Sequence, residues 1–293
     1  MDAFLIITVG ALVAINSSLL GSFLVLRKMV MVGDSISHSV LPGIVLGFLI
    51  TESRNSIPMM IGATAFGLLS IFLIELFHKR AKVQSDAAIG ISYTALFALG
   101  IILVSMFTGK IDLDLDCVLF GEIAYVPLDL LITENGFNMG PKAIWINLTL
   151  LLFISIFLFV GWKALVLSSF NEAYAISIGL KTTFWNYALL FFVSLSTVVS
   201  FESVGAILVI GFLIIPASSA YLLTENLKKM LLIACLNGII SSILGYFLAA
   251  YLNASISGAM IVISSIIFVA ALVYQQIMKK SNQMNQSVDF LEK

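Results

Sequence analysis

The sequence predicts an all-α fold, a polytopic membrane helix bundle of about eight or nine transmembrane helices. Three observations predict it. Hydrophobic residues fill 60% of the 293 positions and charged residues only 11%, whereas a soluble domain is about half apolar and about a quarter charged. Apolar runs of roughly 18–25 residues, the length a spanning helix needs, recur along the chain. No polar stretch is long enough to fold beside them, which leaves one membrane domain over 1–280 and a polar tail over 281–293.

The runs lie near 3–26, 29–50, 57–77, 87–107, 143–167, 183–201, 203–223, 230–251 and 258–278. The first has no basic residues before it and no small-residue cleavage site, so it is expected to stay as a helix and not to act as a signal peptide. Only Phe201, Glu202 and Ser203 separate the sixth and seventh runs, which leaves room there for a short or broken helix. Gly62, Gly67, Gly90, Gly100, Gly205, Gly211, Gly238 and Gly245 read as packing positions, where small residues let backbones approach. Pro42 and Pro216 each remove a backbone donor within a run, and each either kinks a helix beside a pathway or merely bends it.

Lys and Arg in short loops set the expected orientation. Arg27-Lys28, His78-Lys79-Arg80 with Lys82, Lys228-Lys229, Lys279-Lys280 and the Lys163/Lys181 pair all fall on one side if nine runs alternate. That places the N-terminus outside and the C-terminus in the cytoplasm. The outer side then holds residues 51–56, the loop at Asn253, and the 108–142 connection with Asp112, Asp114 and Asp116 at alternate positions. This connection is too long for a turn and forms either an external cap or a re-entrant element, since irregular backbone at membrane depth must be covered. On the cytoplasmic side, 168–180 reads as a short amphipathic helix. Ser169 is its expected N-cap with Glu172 three residues on, Gly179 its stop, and Ala173, Ile176 and Leu180 share one side. It either seals the bundle or docks a partner. The tail after Lys280 is polar and expected to be flexible.

Several functions are excluded. Fifteen basic against sixteen acidic residues suggest no nucleic-acid partner. Cys117 and Cys235 have neither metal nor redox spacing and read as small buried apolar residues. Neither a G-x-x-x-x-G-K-[ST] nor an H-E-x-x-H or G-x-S-x-G motif is present, so the chain neither binds ATP by a P-loop nor resembles a hydrolase. It does not read as an enzyme, and any energy it uses must come from another chain or an ion gradient.

The chemistry concentrates in the second run. Asp34 and His38 are four residues apart, so a helix stacks carboxylate and imidazole on one face. With Lys28 at the interface and about 1.5 Å per residue, Asp34 lies about 9 Å deep and His38 about 15 Å deep. A structural hydrogen bond would neutralise both groups. Ionisable residues at this depth more often mark an ion or substrate path, and transporters place sites near the midplane. Imidazole and carboxylate together suit Zn, Fe or Mn, with the rest of the shell coming from water, backbone, another helix or a second subunit. Glu202 sits either at the outer interface or at a cavity as a third ligand or gate. Glu75 and His78 read as interfacial, and Asp86 as an N-terminal helix residue. A self-sufficient ion-coupled carrier, with Asp34 or His38 relaying protons, and a non-transporting scaffold are the rival classes.

The stretch Gly33-Asp34-Ser35-Ile36-Ser37-His38-Ser39-Val40-Leu41-Pro42-Gly43 resembles the hallmark of the metal-importing ABC permeases of the zinc/manganese/iron type. Further matches follow in order: Ser85–Gly90, Val118–Gly121, Asn171–Ala175 with Gly179-Leu180, and Val204–Val209 leading to Ile215-Pro216-Ala217. The stretch 133–141 is longer than the usual connection. The resemblance implies a type II ABC importer-like bundle in a bacterial cytoplasmic membrane. It implies no cofactor, and Mn, Zn or Fe as transported substrate. It further implies two permease copies, identical or paralogous, two cytoplasmic ABC ATPase subunits, and an extracytoplasmic metal-binding solute-binding protein. Asp34 and His38 would bind metal in transit. Asn171, Glu172, Ala173, Tyr174 and Gly179 would belong to the helix that couples to the ATPase.

Overall fold

A computed structural model describes residues 2–51, 56–107, 123–132 and 138–291. Among them, nine stretches are long and apolar enough to cross a membrane. The Asp112/Asp114/Asp116 alternation, Cys117 and Val118–Gly121 lie outside the described residues.

The helices are α1 (Asp2–Leu26), α2 (Met31–Ser39), α3 (Leu41–Thr51), α4 (Ser56–Lys79), α5 (Ser85–Phe107), α6 (Lys142–Phe170), α7 (Glu172–Ser177), α8 (Thr182–Val204), α9 (Ala206–Leu223), α10 (Leu227–Leu252) and α11 (Ile256–Leu291). The first helix is the hub and packs on α6, α8, α9 and α10. Small residues permit this. A Cβ on Gly21 would overlap the Leu213 carbonyl of α9, and one on Gly238 would meet the Ala14 methyl at 2.7 Å. Gly43 of α3 and Gly62 of α4 meet backbone to backbone, and Gly245 lies against Met260. Gly90 departs from the packing expectation, because nothing lies within 4 Å of where its Cβ would sit. Gly205 also departs. It is the single-residue joint between α8 and α9, at φ +82, a left-handed conformation that favours glycine. The sixth and seventh runs are thus two complete helices, the second only 18 residues long.

The second span is broken. Helical bonding pauses at Val40, two residues before Pro42, and resumes with the Ile44 N–H donating to the Val40 carbonyl at 3.0 Å. Proline in the first turn of α3 is tolerated because that turn's N–H groups are unpaired anyway. Its cost falls one turn earlier, since Pro42 has no N–H to give to the His38 carbonyl.

The connection before α6 carries a 3-10 turn (Ile123–Leu128) and two short antiparallel strands, β1 (Leu130–Ile132) and β2 (Asn138–Pro141). Ile123 and Val126 are buried against Ile6, Val9 and Val13 of α1, so this part of the connection caps the Asp2 end of the bundle. At the far end of the chain, α11 continues to Leu291, past Lys280 where the flexible tail was expected to begin. The Gln, Met and Leu of this tail are adequate helix formers.

Gly21→Leu drives a branched side chain into the α9 backbone. It should lower stability by about 1–3 kcal/mol, the usual cost of overpacking, while Gly90→Ala, with open space beside it, should leave stability unchanged or raised. Melting of the two detergent-purified variants against wild type checks both.

Candidate metal site and its supporting contacts

Four helices position α2. Ser35 and Ser70 of α4 share a hydrogen bond of 2.9 Å. Gly33 lies under the Leu213 side chain of α9. Ile36 is fully buried beside Gly67 of α4, which also touches Ser194 of α8. The His38 ring leans on Tyr93 at 5.6 Å and meets Phe97 edge-on at 5.7 Å, both from α5. The remaining hydroxyls bond within their own helix, Ser37 donating to the Gly33 carbonyl and Ser39 to the Ser35 carbonyl. Serine back-bonds of this kind satisfy the side chain at slight cost to helix regularity.

One face of α2 is left over, and it carries Asp34 and His38. Their Nε2 and Oδ1 atoms stand 3.6 Å apart, and each side chain is 38% exposed. That spacing is too long for a hydrogen bond. It fits two ligands of one ion, since atoms at about 2.1 Å around a tetrahedral metal stand about 3.4 Å apart. The His38 carbonyl, deprived of a donor by Pro42, is an additional oxygen on the same residue. Met31, one turn before Asp34, is also exposed. The sequence reading allowed a backbone ligand and noted Pro42 without joining the two, and it left out Met31. Glu202 is exposed near the end of α8. Among the described residues no three His, Cys, Asp or Glu side chains gather into a metal-holding group, so Glu202 does not complete the pair within this chain. Glu75 is held by Lys79 at 2.7 Å and by the Tyr187 hydroxyl, and His78 pairs with the Val83 carbonyl at 3.0 Å, both structural arrangements.

The connection after α6 is helical, but its cap differs from expectation. Asn171, not Ser169, caps α7, its Oδ1 accepting from the Tyr174 N–H at 2.9 Å. Ser169 is still inside α6 and donates back to the Leu165 carbonyl at 2.7 Å. The stop is at Gly179 as expected, with φ +82, and the Leu180 N–H reaches back to the Ala175 carbonyl at 3.1 Å. The inward residue is Ala175, fully buried, whereas Ala173, Tyr174 and Ile176 point outward and Glu172 is exposed. The helix therefore does not seal the bundle with Ala173 and Ile176 but presents them to its surroundings.

Arg27, at the end of α1, ties this element to the rest. Its Nε donates to Ser169 at 2.9 Å, one terminal nitrogen to Ser168 at 2.8 Å, and the other to the Asn186 amide oxygen on α8. Burial lowers its pKa to about 10, an effect the Glu172 carboxylate partly offsets, so it remains cationic at neutral pH. The next residue, Lys28, takes the left-handed conformation that ends α1, and the Met29 N–H closes the turn on the Leu24 carbonyl at 3.0 Å. The chain then enters α2. One guanidinium thus joins the end of α6, the start of α8 and the turn that leads to Asp34.

The chain resembles known proteins over most of its length. Residues 3–275 match the model of the ABC 3 transport family. The manganese transport system membrane protein MntD of Bacillus subtilis (strain 168) is 44% identical over 269 residues, covering 92% of this chain and 90% of its own. The zinc transport system membrane protein TroD of Treponema pallidum (strain Nichols) is 39% identical over 275 residues, covering 92% and 72%. Among solved structures, PsaBC from Streptococcus pneumoniae in complex with Fab superposes with a TM-score of 0.75 at 30% identity, covering 91% of this chain and 89% of that one. A match that spans all nine candidate membrane helices, with relatives this similar over nine-tenths of the sequence, means that the chain belongs to the ABC 3 transport family.

Proposed function

We propose that this chain is the membrane permease subunit of an ATP-driven importer of a divalent transition metal, Mn, Zn or Fe. The observation that carries the proposal is the Asp34–His38 pair, 3.6 Å apart and half-exposed on a membrane helix. Ionisable groups are not left facing lipid, so this face is expected to line a path closed by a second copy or a paralogue. Two side-chain ligands and a carbonyl are an incomplete shell, and a second copy would bring an equivalent set. Incompleteness suits transit, because a closed cage would retain its ion. Membership of an ABC family supports an ATP-hydrolysing partner and argues against the ion-coupled carrier.

On this reading the exposed Tyr174 and Ile176 of α7 dock on a cytoplasmic ATPase subunit, and a solute-binding protein delivers metal at the opposite face. Arg27 links the two functions. Movement of α7 pulls on Ser168 and Ser169, and the guanidinium passes that displacement to the turn that starts α2. Metal must bind the outward and inward states with different affinity for the cycle to be coupled.

Asp34→Asn and His38→Gln should each lower metal uptake at least about tenfold, since changes even to outer-shell partners of a metal cost 10–100-fold. Radiometal uptake, metal by metal, in cells lacking their own importer checks this, with chain abundance in the membrane measured alongside. Uptake intact in both variants would favour the scaffold, and transport by the chain alone in liposomes without ATP would favour the ion-coupled carrier. For Arg27→Gln the expectation is different. Hydrogen bonds to a charged group are each worth about 1.5–3 kcal/mol, so the α6–α8 junction should loosen. Stimulation of ATP hydrolysis by metal-loaded binding protein should fall several-fold, while metal affinity of the solubilised complex, measured calorimetrically, stays within about twofold.

A further inference from the structure

A groove of about 820 Å³ runs between α6 and α10, with Leu19 of α1 on its floor. Its walls are apolar, formed by Leu158 and Phe159 on one side and Leu231 on the other. Two cations, Lys163 and Lys228, also line it, together with Trp162. Both lysines are exposed, and among the described residues neither has an ion-pair partner. Glu225, close to Lys228 in sequence, lines a different groove with Tyr221 and Thr224.

The groove lies away from the metal site. Gly21 of α1 abuts Leu213, and Leu213 covers Gly33 of α2. Leu19 is two residues from Gly21, about 200° round the helix, so it points to the opposite flank. A second copy seated on the Asp34–His38 face would leave the groove open to the bilayer. Depth agrees as well. With its 29 residues α6 is about 43 Å long, well over the roughly 30 Å of hydrocarbon. Lys163, seven residues before its end, therefore reaches the interface, where Lys228 begins α10.

We infer that this groove is a binding site for an anionic phospholipid. The phosphate and anionic headgroup sit between the Lys163 and Lys228 ammonium groups, and an acyl chain lies along Leu158, Phe159, Leu231 and Leu19. Trp162 occupies the level of the glycerol, where aromatic rings with one polar edge prefer to be. Its ring meets Phe23 of α1 edge-on at 6.3 Å, so a lipid in the groove bears directly on the hub helix. A volume of this size holds most of a drug-sized ligand, and basic pockets between helices at this face are the setting in which anionic headgroups bind. The inference is independent of the transported substrate.

The test uses the full chain in nanodiscs. Brominated phosphatidylglycerol at a few per cent in phosphatidylcholine should quench tryptophan fluorescence more than brominated phosphatidylcholine at the same level. The excess should vanish in Trp162→Phe, which leaves Trp145 and Trp185 in place. Lys163→Gln and Lys228→Gln should each reduce the apparent preference for phosphatidylglycerol roughly fivefold, the factor that about 1 kcal/mol per basic residue amounts to. The double variant should show no preference. Equal quenching by the two lipids, or a preference that survives the double substitution, overturns the proposal. So does suppression of the preference by millimolar inorganic phosphate, which would identify a free-anion site. If the double variant does not fold, Phe159→Ala, which shortens the apolar wall and leaves both cations, should weaken retention of phosphatidylglycerol in native mass spectrometry; unchanged retention also overturns it.

Discussion

Hydrocarbon offers no partner to a polar group, and the architecture follows from that constraint. Backbone groups are satisfied by helices, and serines by bonding their own backbone, as Ser37, Ser39 and Ser92 do. Asn237 shows the alternative. It donates to Ser219 on α9 at 2.6 Å and accepts from Ser241 of its own helix at 3.0 Å and, at 3.4 Å, from Ser264 on α11. Ser17, Ser18, Ser194 and Ser196 are buried without such a bond, and the Asp34–His38 pair differs from them because neither group is buried and the two stand 3.6 Å apart. Everything around α2 is arranged to hold this unsatisfied face in place, from the Ser35–Ser70 bond to the aromatic pair behind His38.

The hub helix answers the same constraint in another way. Lipid supplies no hydrophobic drive between helices, so α1 gains its contacts by close approach at Gly21, Ala14 and Gly10. Close packing makes α1 a rigid reference. Single residues join α2 to α3 at Val40, α6 to α7 at Asn171 and α8 to α9 at Gly205.

The spans were legible because twenty apolar residues in a row have few other folded states. That Asp34 and His38 share a face was legible because i,i+4 spacing converts directly into a helical neighbour pair. What could not be read depended on where helices end and what meets at their ends. Hydropathy ended α6 near residue 167, but Ser168 and Ser169 continue the helix by back-bonding to Leu165. The cap therefore moved from Ser169 to Asn171. Arg27 looked like an ordinary interfacial cation, since its partners Ser168, Ser169 and Asn186 lie at least 141 residues away in sequence. Glu202 was a candidate because it stands between two apolar runs, and among the described residues it does not gather with the pair into a group of three. The β1–β2 pairing is too short for alternation to announce it.

The missing Pro42 donor has a kinetic consequence. Pro42 offers no N–H to the His38 carbonyl, so on the proposed reading an arriving ion would have no bond from that position to break. Departure is equally direct, as the carbonyl reverts to its former condition without a helix having to re-form. At a fixed rate of arrival, each tenfold gain in affinity lengthens residence tenfold. On that reading a proline one turn after the histidine would favour exchange over retention, and residence time, rather than tightness of binding, would be the property this bend in the chain adjusts.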